Sequence, residues 1–565
     1  MLPYGSMRLR GLAEAGLVTA AAFFLTAALT YPLVFKLDRA SRINTSDGMF
    51  SVWTVAWVAH ALTTDPGALW DANIFYPQRG ALAFSEANLT AGAIGAPVWA
   101  LTHNPYLTHN VAVVIAFMVS AIGTYYLVRY LTGHRGAATV AGVMFAFCPF
   151  VFARTAHIQL LMIGGLPVSL LAFHRLIDKA TIGRAVALGL ALWAQALACA
   201  YYGIYAGLMI GLGTLLFAST RRLWRSRDYW LGIGLAAFVS IALTLPFFMP
   251  YVWMQQSLGF SRTLNDAQMF SADRGAWLAS SAWAHRWWLP AITPFNEVLF
   301  PGIVTTILGL TGAWLVLRPR HPASADDVVP AAAAGLIRRD VAAFYLLIGL
   351  IAFWASFGPD AGLYAWFYRT IPVFSFLRAP ARMGIMTTLS LAVLAGFALA
   401  SWPRLTRRAA VIGAVFLLAS ADLVQVPLTA FRDAPPLEKA YKVLATLPRG
   451  PVAEFPYFYE RPSWPRHAYY MLKSTAHWFP LVNGYSDHIP TSFRQTVVPL
   501  SSFPTRQSFA ILKRTDTRYV LFHLQLYDGR SRELLLQRLK SYETYLRPIV
   551  REEDVWLFEI VGWPN

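Results

Sequence analysis

Residues Gly16–Phe35 read GLVTAAAFFLTAALTYPLVF, and after a short polar turn Arg42–Leu62 read RINTSDGMFSVWTVAWVAHAL. The first stretch carries no charge over 20 residues, enough to cross a hydrocarbon core of ~30 Å. The second places a carboxylate, Asp47, just beyond that run and then becomes a tryptophan-bearing segment. Phe50, Trp53, Trp57 and Ala61 follow helical spacing, so Trp53 and Trp57 share one helix face. That pattern predicts an interfacial helix with its aromatic face in lipid. Ser46 or Asp47 is suited to cap it.

The rest of the chain repeats the apolar theme. Of 565 residues, 56% are hydrophobic and 13% charged, and the mean hydropathy is +0.46. A soluble domain has about a quarter charged residues, so this composition specifies an α-helical polytopic membrane protein. Eleven spans are expected, near 13–35, 110–130, 136–152, 158–177, 182–200, 202–220, 229–250, 299–317, 341–357, 383–402 and 409–428. The basic start and long apolar run at the N-terminus lack a clean small-residue cleavage site and read as a retained first span.

The net charge of +18 does not point to nucleic acid, because the basic residues collect in short clusters between apolar runs. Those clusters are Arg129 and Arg135; Arg175, Lys179 and Arg184; Arg221, Arg222, Arg225 and Arg227; Arg318, Arg320, Arg338 and Arg339; and Arg404, Arg407 and Arg408. With the N-terminus in the cytoplasm all fall on the inner side, facing anionic headgroups. The outer side then carries two long loops, 36–109 and 251–298, and the C-terminal segment. The expected division is a membrane domain over 1–429 and a small extracytoplasmic α/β domain over 430–565. In the latter, GPVAEFPYF, TRYVLFH and VWLFEI read as strands and SRELLLQRLKSYETYL as a helix. Cys148 and Cys199 lie in apolar runs, which excludes a disulfide framework or a cysteine metal site. No glycine-rich nucleotide loop is present.

Chemistry-bearing residues gather in the outward segments. The first loop holds Asp47, Asp71, Glu86, His103 and His109. The stretch FCPFVFARTAHIQLL puts Arg154 and His157 at the mouth of the third and fourth spans, and SFLRAPARMG adds Arg378 and Arg382. Ionisable groups at such depth face a cavity or a partner, and guanidinium forks match phosphate oxygens. Tyr202, at the tip of a hairpin, and Tyr485, Asp487 and His488, in VNGYSDHIP, are candidates for an acceptor groove. The set fits one reaction. A carboxylate deprotonates an acceptor hydroxyl while a sugar leaves a lipid-linked phosphate held by Arg154, His157, Arg378 and Arg382.

On SDGMFSVWTVAWVAHAL, DANIFYPQRGALAFSE, FVFARTAHIQLL, FLRAPARMG and VNGYSDHIP, the chain resembles the GT-C superfamily of polytopic, polyprenyl-phosphate-sugar-dependent glycosyltransferases, and more narrowly its YfhO-type and RgtA/B/C/D-like members. The resemblance implies an inverting transfer at the outer face of the cytoplasmic membrane, from a polyprenyl-phosphate sugar to a cell-envelope acceptor. It implies an acid acting as base at the start of the first outer loop, where Asp47 stands, and Glu86 and Asp71 are the alternatives for a second carboxylate. Many members pair two acids there, whereas here Gly48 follows Asp47. No cofactor is demanded, and a divalent cation stays open as an alternative. Two rival readings are a lipid-linked glycan flippase, which would need charges deep in the spans and two related halves, and a non-catalytic envelope scaffold.

Overall fold

The computed structural model describes residues 4–258, 262–318, 339–402, 406, 408–428, 430–551 and 554–564. The loop arginines Arg320, Arg338, Arg404 and Arg407 lie outside these residues. The first helices in chain order are α1 (Tyr4–Leu29), α2 (Ser46–Thr64), α3 (Leu89–Thr102), α4 (Pro105–Thr132) and α5 (Arg135–Ala146). The chain forms two compact units. One comprises Met1–Val34, Val113–Met249 and Gly259–Leu428; the other comprises Phe35–Ala112, Pro250–Leu258 and Thr429–Asn565.

The first unit is helical, and most of the membrane-spanning stretches belong to it. Among the described residues seven helical stretches are long and apolar enough to cross a bilayer: Gly11–Leu29, Pro105–Thr132, Arg135–Ala153, Ala200–Thr220, Arg227–Ser257, Arg339–Ser356 and Pro380–Ala400. Shorter apolar helices cover Leu89–Thr102, Ile182–Ala198, Ile303–Leu317 and Ala409–Leu423. The chain is a multi-pass membrane protein. The span expected near 158–177 is interrupted: a four-residue helix, Ile158–Leu161, is followed by a separate helix, Gly165–Asp178. Its sequence explains the break, since Gly164, Gly165 and Pro167 suit a helix start and not an interior.

Helix Gly384–Ala400 is buried along nearly its whole length and forms the centre of this unit. It packs against Ile303–Leu317, where a Cβ on Gly312 would overlap the Leu394 carbonyl oxygen. In lipid, small residues at such crossings let backbones approach closely enough for dispersion to hold them. At the end of Ala409–Leu423, Asp422 accepts from His285 Nε2 at 2.8 Å and from the Val304 amide at 3.0 Å. Ser280 Oγ sits 2.6 Å from His285 Nδ1. All three side chains are buried, so this is a polar knot tying loop to helix.

The second unit contains the sheet. Two short strands, β1 (Ala40–Ser41) and β2 (Arg432–Asp433), pair antiparallel. The main sheet has β3 (Val452–Phe455), β4 (Tyr519–His523), β5 (Leu546–Val550) and β6 (Val555–Ile560) in the order β3-β4-β6-β5. β3 and β4 run parallel, and the other pairs are antiparallel. The three strands and the helix expected from the sequence are present, the helix as Gly529–Ser541. Within the core, Tyr441 Oη donates to Glu454, whose Oε2 also lies 2.7 Å from His523 Nε2. Burial, with Glu454 adding to it, raises the Tyr441 phenol well above its ordinary pKa.

His467 lies in the same core, fully buried. Its Nδ1 accepts from Asn483 Nδ2 at 3.1 Å and its Nε2 donates to the Phe458 carbonyl at 3.2 Å. Loss of hydration pushes its pKa down to about 4. The folded state therefore binds its proton less readily than the unfolded chain, where the value is near 6.5. Stability from this group is complete above about pH 6.5. It falls by up to about 3 kcal/mol as the pH drops through 4. Melting temperatures of the full chain should decline between pH 7 and pH 4.5, and the decline should be shallower in His467→Asn.

Candidate functional site

Asp47 is the second residue of α2. The cap is neither Ser46 nor Asp47: Thr45 takes an extended backbone and its Oγ1 accepts from the Gly48 amide at 3.1 Å. Asp47 thus stands in the first turn, half-buried, where the positive end of the helix dipole favours a carboxylate. A Cβ on Gly48 would overlap the Arg42 carbonyl oxygen. The same close approach that fixes this turn leaves no room for a second acid beside Asp47.

The tryptophan face of α2 does not enter lipid. Trp53 is 1% and Trp57 6% exposed, and both belong to the core of the second unit. Their indole N–H groups decide the matter, because each has a partner inside protein. Trp53 Nε1 donates to Asn73 Oδ1 at 3.2 Å and Trp57 Nε1 to the Leu69 carbonyl at 2.9 Å. Trp57 also meets Trp478 edge-on at 5.5 Å.

One loop links several of the expected residues. Tyr485 Oη reaches Asp47 Oδ1 at 3.5 Å, a long donor contact, and its ring meets Phe50 edge-on at 6.0 Å. Three residues on, the His488 amide donates to the Phe84 carbonyl at 2.9 Å, and the imidazole packs edge-on to Phe84 at 5.3 Å. Asp487 between them is exposed. Glu86 follows Phe84 closely and is half-buried. Its stretch is pinned by Tyr251, which donates to the Ser85 carbonyl at 3.2 Å and accepts from the Ala87 amide at 2.9 Å. The loop Val482–Pro490 thus touches Asp47 at one point and the strand of chain before Glu86 at another. Asp71 is exposed and holds a turn by accepting from the Gly80 amide at 2.8 Å. His109 is buried against Ser51 and Asn110, and His103 is exposed. Among the described residues no group of three or more His, Cys, Asp or Glu has the arrangement of a metal site.

The basic candidates lie in the first unit. Arg154 ends the short helix Pro149–Ala153 and is ion-paired with Glu297. His157 precedes the helix Ile158–Leu161, with its amide donating to the Arg154 carbonyl at 2.9 Å. Arg378 and Arg382 flank the turn at Pro380 and are organised by Tyr201. The Arg378 amide donates to Tyr201 Oη at 2.9 Å, and the Arg382 guanidinium sits 4.5 Å over the Tyr201 ring. The Arg378 guanidinium lies 5.0 Å over Phe270. Tyr202 is not a groove residue. It is fully buried and donates to the Leu160 carbonyl at 3.2 Å. The tyrosine that meets the arginines is its neighbour.

No protein-family model matches the chain, and no curated protein matches it. Solved structures do. The arabinofuranosyltransferase AftD from Mycobacteria aligns at TM-score 0.54 and 17% identity, over 98% of this chain and 41% of that one. The chain therefore spans about two fifths of AftD. The archaeal oligosaccharyltransferase AglB from Archaeoglobus fulgidus, solved with an inhibitory peptide and a dolichol-phosphate, aligns at 0.49 and 12%, over 94% and 72%. ArnT from Cupriavidus metallidurans, bound to undecaprenyl phosphate, aligns at 0.48 and 13%, over 97% and 98%. Over the aligned part, the chain shares its fold with AftD.

The packing at Gly48 is open to direct measurement. Forcing a methyl group against a backbone oxygen costs about 1–3 kcal/mol, so Gly48→Ala should lower the melting temperature. Gly16→Ala, where a Cβ meets open space in mid-helix, should not lower it. Equal shifts in the two variants would refute the packing account.

Proposed function

We propose that this chain is an integral membrane glycosyltransferase that moves one sugar from a polyprenyl-phosphate donor to a hydroxyl of a cell-envelope acceptor. The observation that carries the reading is the position of Asp47, in the first turn of α2 and beside Tyr485, on a chain that shares its fold with AftD. Transfer is inverting, of a hexose or a pentose. It takes place at the outer face of the cytoplasmic membrane, with the N-terminus inside and the C-terminal segment outside.

In the proposed step Asp47 takes the proton of the acceptor hydroxyl. The acceptor oxygen forms its bond to the anomeric carbon as the bond from that carbon to the phosphate oxygen breaks. The electron pair of the broken bond stays on the phosphate, where Arg378 and Arg382 balance the charge, with Arg154 and His157 assisting. Tyr485 orients the carboxylate, while Asp487 and His488 line the approach of the acceptor. Glu86 is the reserve carboxylate. The prenyl tail stays in the bilayer throughout, so the reaction needs no soluble nucleotide-binding fold.

Purified full-length protein in vesicles, supplied with labelled polyprenyl-phosphate sugars, tests the assignment. Removing a general base costs about 10²–10⁴-fold in turnover, so Asp47→Asn should lose that much while retaining donor in a filter-binding assay. Unchanged transfer by Asp47→Asn would overturn the base assignment.

Tyr201 gives a second test. Tyr201→Phe keeps the ring under Arg382 and loses only the oxygen that accepts from Arg378, so donor KM should rise modestly. Tyr201→Leu removes both and should raise donor KM further, with kcat less affected. The reverse order would show that Tyr201 does not seat the arginines.

A further inference from the structure

A groove between α1, α4 and α5 takes no part in the proposed transfer. It is a cavity of about 750 Å³, within the range of roughly 300–1,000 Å³ typical of sites for small organic molecules. Ala21 and Leu25 of α1 line one wall, and Ile122 and Gly142 line the other. These residues are apolar, and the outer face of α1 is turned away from protein, with Leu12 and Phe24 exposed.

The polar atoms of the groove sit at one end. There Glu14 accepts from Tyr125 Oη at 2.7 Å, from Arg129 Nε at 3.1 Å and from Arg135 Nη2 at 2.5 Å. Two guanidinium groups face one carboxylate, which leaves one net positive charge at the mouth. Arg135 also gives its Nε to Glu14, at 3.1 Å, and its side chain stays 64% exposed to the surroundings of the mouth. An apolar channel inside a span with a cationic mouth is complementary to an amphiphile with an anionic head.

The position of this mouth separates it from the arginines of the proposed donor site. The unbroken helix Ala200–Thr220 has 21 residues, about 30 Å of helical rise. Tyr201 under Arg382 stands at its start, and just past its end Arg221 pairs with Asp178, which accepts from Tyr130. Arg129, next to Tyr130, donates to Glu14, so the mouth lies across the bilayer thickness from Arg382. Arg154 shares the Arg382 end: Tyr202, next to the Tyr201 that carries Arg382, donates to the Leu160 carbonyl, six residues on from Arg154. We propose that the groove binds one anionic phospholipid from the leaflet opposite Arg154 and Arg382, with an acyl chain along Ala21 and Gly142 and its phosphate on Arg135. The bound chain fills the space that α1 leaves beside α4 and α5.

The experiment uses the full-length protein, delipidated in detergent and observed by native mass spectrometry. The probes are phosphatidylglycerol and phosphatidylcholine of identical acyl chains, and inorganic phosphate. One phosphatidylglycerol should be retained per chain, about fivefold more tightly than phosphatidylcholine, the effect of one basic residue near an anionic headgroup. Arg135→Gln should abolish that preference. Ala21→Trp fills the groove from an exposed position and should lose both lipids with an unchanged melting temperature. Equal retention of the two lipids by the unaltered protein would overturn the proposal, as would full retention by Ala21→Trp. Displacement of phosphatidylglycerol by millimolar inorganic phosphate would overturn the acyl-chain component.

Discussion

Asn73 is the residue on which the second unit depends. Its side chain is buried, and every part of it is used. Oδ1 accepts from Trp53, and Nδ2 donates to Ser474 Oγ at 3.0 Å and to the Phe479 carbonyl at 3.1 Å. Its backbone carbonyl accepts from the Leu481 amide at 2.7 Å. A short ladder continues from there, with Tyr76 donating to the Leu481 carbonyl and Phe75 to the Asn483 carbonyl. A buried amide left without partners costs about 1–3 kcal/mol. The network is therefore satisfied only in one register between segments some 400 residues apart in sequence. That register brings Tyr485 to Asp47.

The same logic governs what surrounds the carboxylate. Thr45 supplies the cap, the helix N-terminus supplies a favourable field, and Gly48 allows the Arg42 carbonyl to come close. Each is a backbone requirement, and together they fix where Asp47 stands before any substrate is considered. An acid in place of Gly48 would break the turn that positions its neighbour. A single carboxylate is what this local geometry permits.

The spans were legible because a bilayer imposes a length and a polarity that a local window of sequence can register. Strands β3, β4 and β6 were legible for a similar reason, being short apolar runs bounded by turns. β5 was not, because LRPIV carries Arg547 and Pro548, and as an edge strand it can hold a proline that an inner strand could not. The burial of the α2 tryptophans is not legible, for a different reason. An aromatic stripe at helical spacing looks the same whether lipid or protein covers it, and the covering residues, Asn73 and Trp478, are distant in sequence. Tyr201 and Tyr202 show the limit most sharply. Neighbours on a helix point about 100° apart, so one enters the core and the other meets the arginines, and nothing local says which.

The basic residues are seated in two ways, with different consequences for an incoming phosphate. Arg154 already has a carboxylate beside it, so an anion arriving there competes with Glu297. Arg378 and Arg382 are positioned through Phe270 and Tyr201, where a ring orients a guanidinium through its quadrupole. Tyr201 adds a second hold, because its hydroxyl fixes the backbone at Arg378 while its ring fixes the head of Arg382. The two arginines thus share one support, and their spacing is set by a single side chain. A planar fork gains most from a phosphate when its direction is set in advance, and that is the part Tyr201 plays for Arg382 in the proposed reaction.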